Sequence, residues 1–85
     1  MTRLGRDHRL DTRGDYLALI GTIWETPIGQ RREVVSIRFV PKEHFGVELW
    51  GYVVWKRPHW DDRHKTKITN FALWREWLSK AHRVL

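Results

Sequence analysis

Cysteine is absent from the 85 residues, which removes disulfides, thiolate nucleophiles and thiolate metal sites. Serine is scarce: Ser36 and Ser79 stand alone, and neither lies in a strained-turn context with a histidine close by, so a serine nucleophile finds no support. The six glycines are scattered singly, and no phosphate-cradling loop can be written over them. No apolar run approaches the roughly 18 residues that a membrane helix needs. The opening MTRLGRDHRLDTRGD is too polar for a signal peptide. These absences argue against an enzyme, a cofactor and membrane insertion, and the expected compartment is cytoplasmic.

Metal ligands are present but poorly arranged. His59, Asp61, Asp62 and His64 share the run HWDDRH, yet no helix fixes their spacing and Arg63 stands among them, so no metal site is expected. Asp61 and Asp62 point in different directions if extended, which does not suit a paired-carboxylate mechanism.

What the chain has in quantity is positive charge and tryptophan. Sixteen Lys and Arg against ten Asp and Glu give +6, a balance that favours polyanions or acidic protein surfaces. The excess is uneven along the chain: +2 over residues 1–14, zero over 15–56 and +4 over 57–85. Six tryptophans are many for a domain this small to bury, so some should meet a partner.

Periodicity predicts an α+β domain over residues 15–85, preceded by a flexible basic arm over 1–14. Residues 15–25, DYLALIGTIWE, read as a strand covered on both faces. Residues 26–32 hold Pro27 and Gly29 and read as a turn. Residues 33–40 alternate Val35, Ile37 and Phe39 with Ser36 and Arg38, a half-buried strand. Residues 47–56, VELWGYVVWK, form the third strand, with Trp50, Tyr52 and Val54 on its outer face. After a polar loop over 57–67, Thr69 or Asn70 caps an amphipathic helix running from Phe71 toward Leu85, with Phe71, Trp74, Trp77, Leu78 and Ala81 on one arc. The expected fold is a three-stranded antiparallel β-meander packed against one C-terminal helix.

Two surfaces follow. Nucleic acid, DNA or RNA, would be held by Arg57, Arg63, Lys65 and Lys67 of the loop and by Arg75, Lys80 and Arg83 of the helix, with Trp60 as a stacking platform. A sheet backed by a helix is also the architecture of some DNA readers that place the sheet in the major groove, but here the sheet residues carry no net charge. The other surface is apolar: Tyr16, Ile20 and Trp24 sharing a face with Trp50, Tyr52 and Val54 would make a protein interface or a homodimer contact. The leading expectation is a small non-enzymatic protein that binds nucleic acid or a nucleoprotein complex. The alternative is a protein-protein module, such as a phage or mobile-element inhibitor of the anti-CRISPR kind that docks on an acidic host surface.

Overall fold

A computed structural model describes residues 10–40, 49–59 and 65–85. Its first element is a helix where the sequence reads as a strand: α1 spans Arg13–Leu17. Local chemistry decides this. Thr12 Oγ1 accepts from Asp15 N at 3.1 Å, while Asp15 Oδ2 accepts from Thr12 N at 3.0 Å and from Asp11 N at 2.9 Å. That capping box satisfies three backbone donors at the helix start. Tyr16 and Leu19, three residues apart, then face the core while Leu17 and Ile20 face out. Gly21, at φ +89°, turns the chain out of the helix region, and its N–H donates to Val34 O at 2.9 Å.

The flexible arm expected over residues 1–14 does not describe residues 10–14. Leu10 is buried in the core and Thr12 is the helix cap; residues 1–9 lie outside the described set. The same cap should be visible in solution. Thr12→Ala is expected to cost about 1 kcal/mol, read as a thermal midpoint lower by about 4–8 °C. The backbone N–H groups of Asp11 and Thr12 hold the Asp15 carboxyl below its ordinary value of 3.8. Its contribution is therefore complete above that value and is lost as pH falls below it through the lower folded-state value. Asp15→Asn should flatten the acid limb of the stability profile, as measured by thermal unfolding in an acid titration.

Among the described residues five strands follow, not three. β1 (Ile23–Glu25), β2 (Arg31–Phe39), β3 (Gly51–Lys56), β4 (Lys67–Asn70) and β5 (His82–Arg83) form one sheet in the order β4-β3-β2-β1-β5. Every neighbouring pair is antiparallel. The β1–β2 turn is closed by Gly29 N donating to Thr26 O at 2.9 Å, with Pro27 at its second position and Gly29 at φ +88°. A register shift between Val34 and Ser36 makes Val35 the extra residue of a bulge in β2. Trp50 O accepts from Val40 N at 2.8 Å, so pairing continues just past β3, although the strand itself starts at Gly51.

Both edges correct the sequence reading. Lys67–Asn70, taken as loop end and cap, pairs with β3 from Tyr52 to Trp55. At the other edge the helix stops early: α2 spans Phe71–Leu78, capped by Asn70 Oδ1 accepting from Leu73 N at 2.8 Å. Lys80 N and Ala81 N then bond three residues back, to Trp77 O and Leu78 O, a tightening that commonly ends a helix. The chain emerges extended, and Val84 N and Ile23 N exchange bonds with Ile23 O and Leu85 O. β5 thereby covers the backbone edge of β1 that a longer helix would leave bare.

α1 and α2 share one face of the sheet. Tyr16, Trp24, Val34, Val53, Trp55, Phe71, Trp74 and Leu78 form the centre of the core there, with Leu10, Leu19 and Ala81 around them. Tyr16 stacks on Phe71, centroids 3.8 Å apart. No helix of the described residues is long and apolar enough to cross a membrane.

Candidate nucleic-acid interface

Antiparallel pairing brings the starts of β2, β4 and β5 to the same end of the sheet as the ends of β1 and β3. Basic residues cluster at those termini: Arg31 and Arg32 open β2, Lys56 and Arg57 close β3, Lys65 and Lys67 precede and open β4, and Lys80, His82 and Arg83 bracket the start of β5. Counting charge along the chain hides this, because the zero total over residues 15–56 averages the two ends of the sheet. The two strand carboxylates at this end are already engaged: Glu25 with Arg31 at 3.6 Å and Glu33 with Lys56 at 3.2 Å.

Arg32 is the residue that the sequence reading passed over as part of a turn. Its register partner across the sheet is Trp24, so its side chain lies on the helix-covered face. There its guanidinium carbon sits 4.0 Å from the Trp55 ring centroid and 4.3 Å from that of Trp77, with Trp74 at 5.7 Å. The three-residue spacing of Trp74 and Trp77 puts both rings on the same side of α2. Planar guanidinium groups stack well on such faces, and cation–π attraction holds the charge in place of a carboxylate. Among the described residues Arg32 has no ion pair. Burial, and secondarily the charge of Arg57, pulls its pKa down to about 10, so it remains a cation at neutral pH.

A cleft of about 160 Å³ opens between the β1–β2 turn and the end of β3, lined by Gly29, Arg31, Arg57, Pro58 and His59. A larger cleft of about 300 Å³ lies elsewhere, among Leu10, Asp11, Leu49, Trp50, Phe71, Ala72 and Arg75. Its charge is mixed, and Arg75 is occupied there: Nη1 donates to the Tyr16 hydroxyl at 3.1 Å. The volume is greater, but the electrostatics favour the smaller cleft as an anion site.

Of the expected phosphate contacts, Arg57, Lys65, Lys67, Lys80 and Arg83 belong to the same end of the sheet. They reach it from strand ends and turns, since Lys80 and Arg83 lie past the end of α2. Arg83 Nε also donates to Leu85 O at 3.2 Å. Arg75 is separated from the group by its bond to Tyr16. Trp60 and Arg63 lie outside the described residues, as do Asp61, Asp62 and His64.

The expected apolar surface divides. Tyr16 is 0% exposed and belongs to α1, its hydroxyl pKa raised by burial. Trp24 is buried on the helix-covered face, where its Nε1 donates to Thr22 Oγ1 at 2.7 Å. Ile20 is exposed in the turn after α1 and belongs to no strand. Tyr52, 42% exposed, shares the sheet face opposite the two helices with Val54 and Ile68, which are register partners; Val54 itself is only 7% exposed. Trp50 is partly exposed just before β3. The patch is thus narrower than the strand alternation implies, because the residues of 15–25 turn inward as a helix and a short strand.

No group of three or more His, Asp or Glu able to hold a metal ion occurs among the described residues. Compared with models of known families, with curated proteins and with solved structures, the chain matches none.

Proposed function

We propose that this is a non-enzymatic protein that binds nucleic acid, or a nucleoprotein complex, through the basic end of its sheet. The observation that carries the reading is the gathering of Arg31, Arg32, Lys67 and Arg83 at one end of the sheet by strand register, with Arg57 directly after β3 and with Arg32 held as a cation between tryptophan rings and, among the described residues, given no carboxylate. Such a surface follows a phosphate backbone by charge, and each phosphate it neutralises releases counterions. Relative to the loop-and-helix surface read from the sequence, Arg57, Lys65 and Lys67 keep their role, the turn after α2 replaces the helix face, and Arg31 and Arg32 are added.

Direct titration of fluorescently labelled DNA and RNA oligonucleotides at two salt concentrations tests this. Affinity that falls steeply with salt supports the reading. Absence of any salt-sensitive binding at low ionic strength overturns it.

A second reading, a protein-interaction or self-association module, is favoured by the exposed Tyr52 and Ile68 beside Val54 on the sheet face opposite α1 and α2. Light scattering during chromatography separates the self-association branch: a concentration-independent mass near 10.3 kDa excludes a homodimer.

A further inference from the structure

We infer that the larger cleft, where the residues preceding α1 and β3 meet the first turns of α2, takes one unpaired guanine base, read by Asp11 and Arg75. This rests on the nucleic-acid reading and names what the strand presents beyond its phosphates. At about 300 Å³ the cleft stands at the lower end of the range of small-ligand sites, about 300–1,000 Å³, a size that suits one planar ring system. Leu10, Leu49, Trp50 and Phe71 supply apolar and aromatic walls, against which the faces of a base can pack. Asp11 adds two carboxylate acceptors and Arg75 a fork of donors.

Both charged residues are held by bonds that leave their recognition atoms to a ligand. The Asp11 N–H donates to Asp15 Oδ2 at 2.9 Å, which fixes the backbone of Asp11 without using its own carboxylate. Arg75 Nη1 donates to the Tyr16 hydroxyl at 3.1 Å, one bond from a group with five N–H donors. Among the described residues neither side chain is in an ion pair. Both charges nevertheless lie near enough to the Tyr16 hydroxyl to act on its ionisation, Arg75 lowering its pKa and Asp11 raising it.

A carboxylate and a guanidinium that share a cleft without pairing suit a ligand with adjacent donors on one edge and adjacent acceptors on another. Guanine has that pattern: N1–H and the 2-amino group lie side by side, and O6 and N7 form the acceptor pair. The carboxylate takes the donors, and the guanidinium takes O6 and N7 as arginine commonly does. In a duplex the N1–H is already paired, so the base must come from a single strand. The opposite charges of Asp11 and Arg75 cancel, and the cleft does not compete with the basic end of the sheet for phosphate. β3, 6 residues long, separates the two places by roughly 20 Å, a span that about six nucleotides cover at about 3.4 Å each.

The probe is guanosine, which carries no phosphate, titrated into the full chain while backbone amide and indole N–H signals are followed by NMR. Saturable shifts at Asp11, Ala72 and the Trp50 indole are expected. Inosine, which lacks the 2-amino group, should bind about tenfold more weakly, as for the loss of one hydrogen bond to a charged group. In Asp11→Asn the affinity for guanosine should fall about tenfold, because an amide offers one acceptor oxygen where the carboxylate offers two. Arg75→Lys, which keeps the charge and loses the fork, serves as the second variant if Asp11→Asn loses its signal dispersion, with the same loss expected. Inosine or adenosine binding as tightly as guanosine, or an unchanged guanosine affinity in the folded variant, overturns the inference.

Single strands of matched length with one guanine or none, and the guanine strand annealed to its complement, connect the cleft to the nucleic-acid reading. Preference for the unpaired guanine supports both, and equal binding of single strand and duplex overturns the requirement for an unpaired base. Guanosine saturation with no oligonucleotide binding overturns the nucleic-acid reading alone. Salt-sensitive oligonucleotide binding that ignores guanine, with no guanosine saturation, overturns the cleft alone.

Discussion

Replacing Trp74 by alanine should remove a large share of the protein's folding stability. Trp74 is 0% exposed and lies between α2 and the sheet, in contact with Trp77 at a centroid distance of 5.3 Å. Removing a buried tryptophan side chain costs about 3–5 kcal/mol. A domain of 85 residues has about 4–13 kcal/mol in total, so the loss consumes much of it. Trp74→Phe should behave very differently. The Trp74 Nε1–H is buried without an acceptor among the described residues, and an unsatisfied buried donor costs about 1–3 kcal/mol. Phenylalanine removes that donor along with part of the ring, and the two effects offset each other to within about 1 kcal/mol. Urea unfolding followed by circular dichroism measures both variants; an alanine variant as stable as the parent would mean that the helix does not pack on the sheet through this ring.

Gly51→Ala should be nearly as damaging, for a steric reason. Gly51 opens β3 opposite Phe39, at the point where Phe71 crosses the sheet. A methyl group there would collide with the carbonyl oxygen of Arg38 on the neighbouring strand and come within 2.7 Å of the Phe71 ring. The ring is stacked on Tyr16 and has Phe39 edge-on at 5.8 Å, so it has nowhere to retreat. The carbonyl belongs to the sheet backbone. Overpacking of this kind costs about 1–3 kcal/mol, and the backbone component puts this site at the upper end. A drop in the denaturant midpoint at unchanged slope is the expected signature; an unchanged midpoint would contradict the close approach of β2, β3 and α2.

Much of the architecture can be read from residue order, and the parts that cannot have identifiable causes. β2 and β3 announce themselves through alternation, and Asn70 marks the start of α2 by its capping chemistry. The first helix is concealed because DYLALIGTIWE is rich in β-branched and aromatic residues, while the deciding signal, Thr12 three residues before Asp15, precedes that run. β5 is concealed because Ala81 and Leu85 extend the apolar arc of a helix, and only the open edge of β1 draws the chain into a strand. β4 is four residues long, and its pairing depends on β3.

The site was partly legible. Arg57, Lys65 and Lys67 could be chosen from their polar surroundings, because local composition carries that information. Arg32 could not. Its position depends on Trp55 and Trp77, which are distant in sequence and meet it only after the sheet has formed and α2 has crossed it. A regional charge count assigned the sheet no electrostatic role, whereas antiparallel register gathers its described cations, Arg38 excepted, at one end.

The most direct test of the account is the salt dependence of oligonucleotide affinity in the Arg31→Gln, Arg57→Gln double variant, with Arg38→Gln as the same-strand control. Each phosphate contact contributes about one to the slope of log affinity against log salt. The double variant should therefore bind more weakly at low salt with a slope shallower by about two, while Arg38→Gln keeps the parent's affinity and slope. Equal slopes in the parent and the double variant, with circular dichroism unchanged, would contradict the assignment of the basic end of the sheet as the nucleic-acid interface.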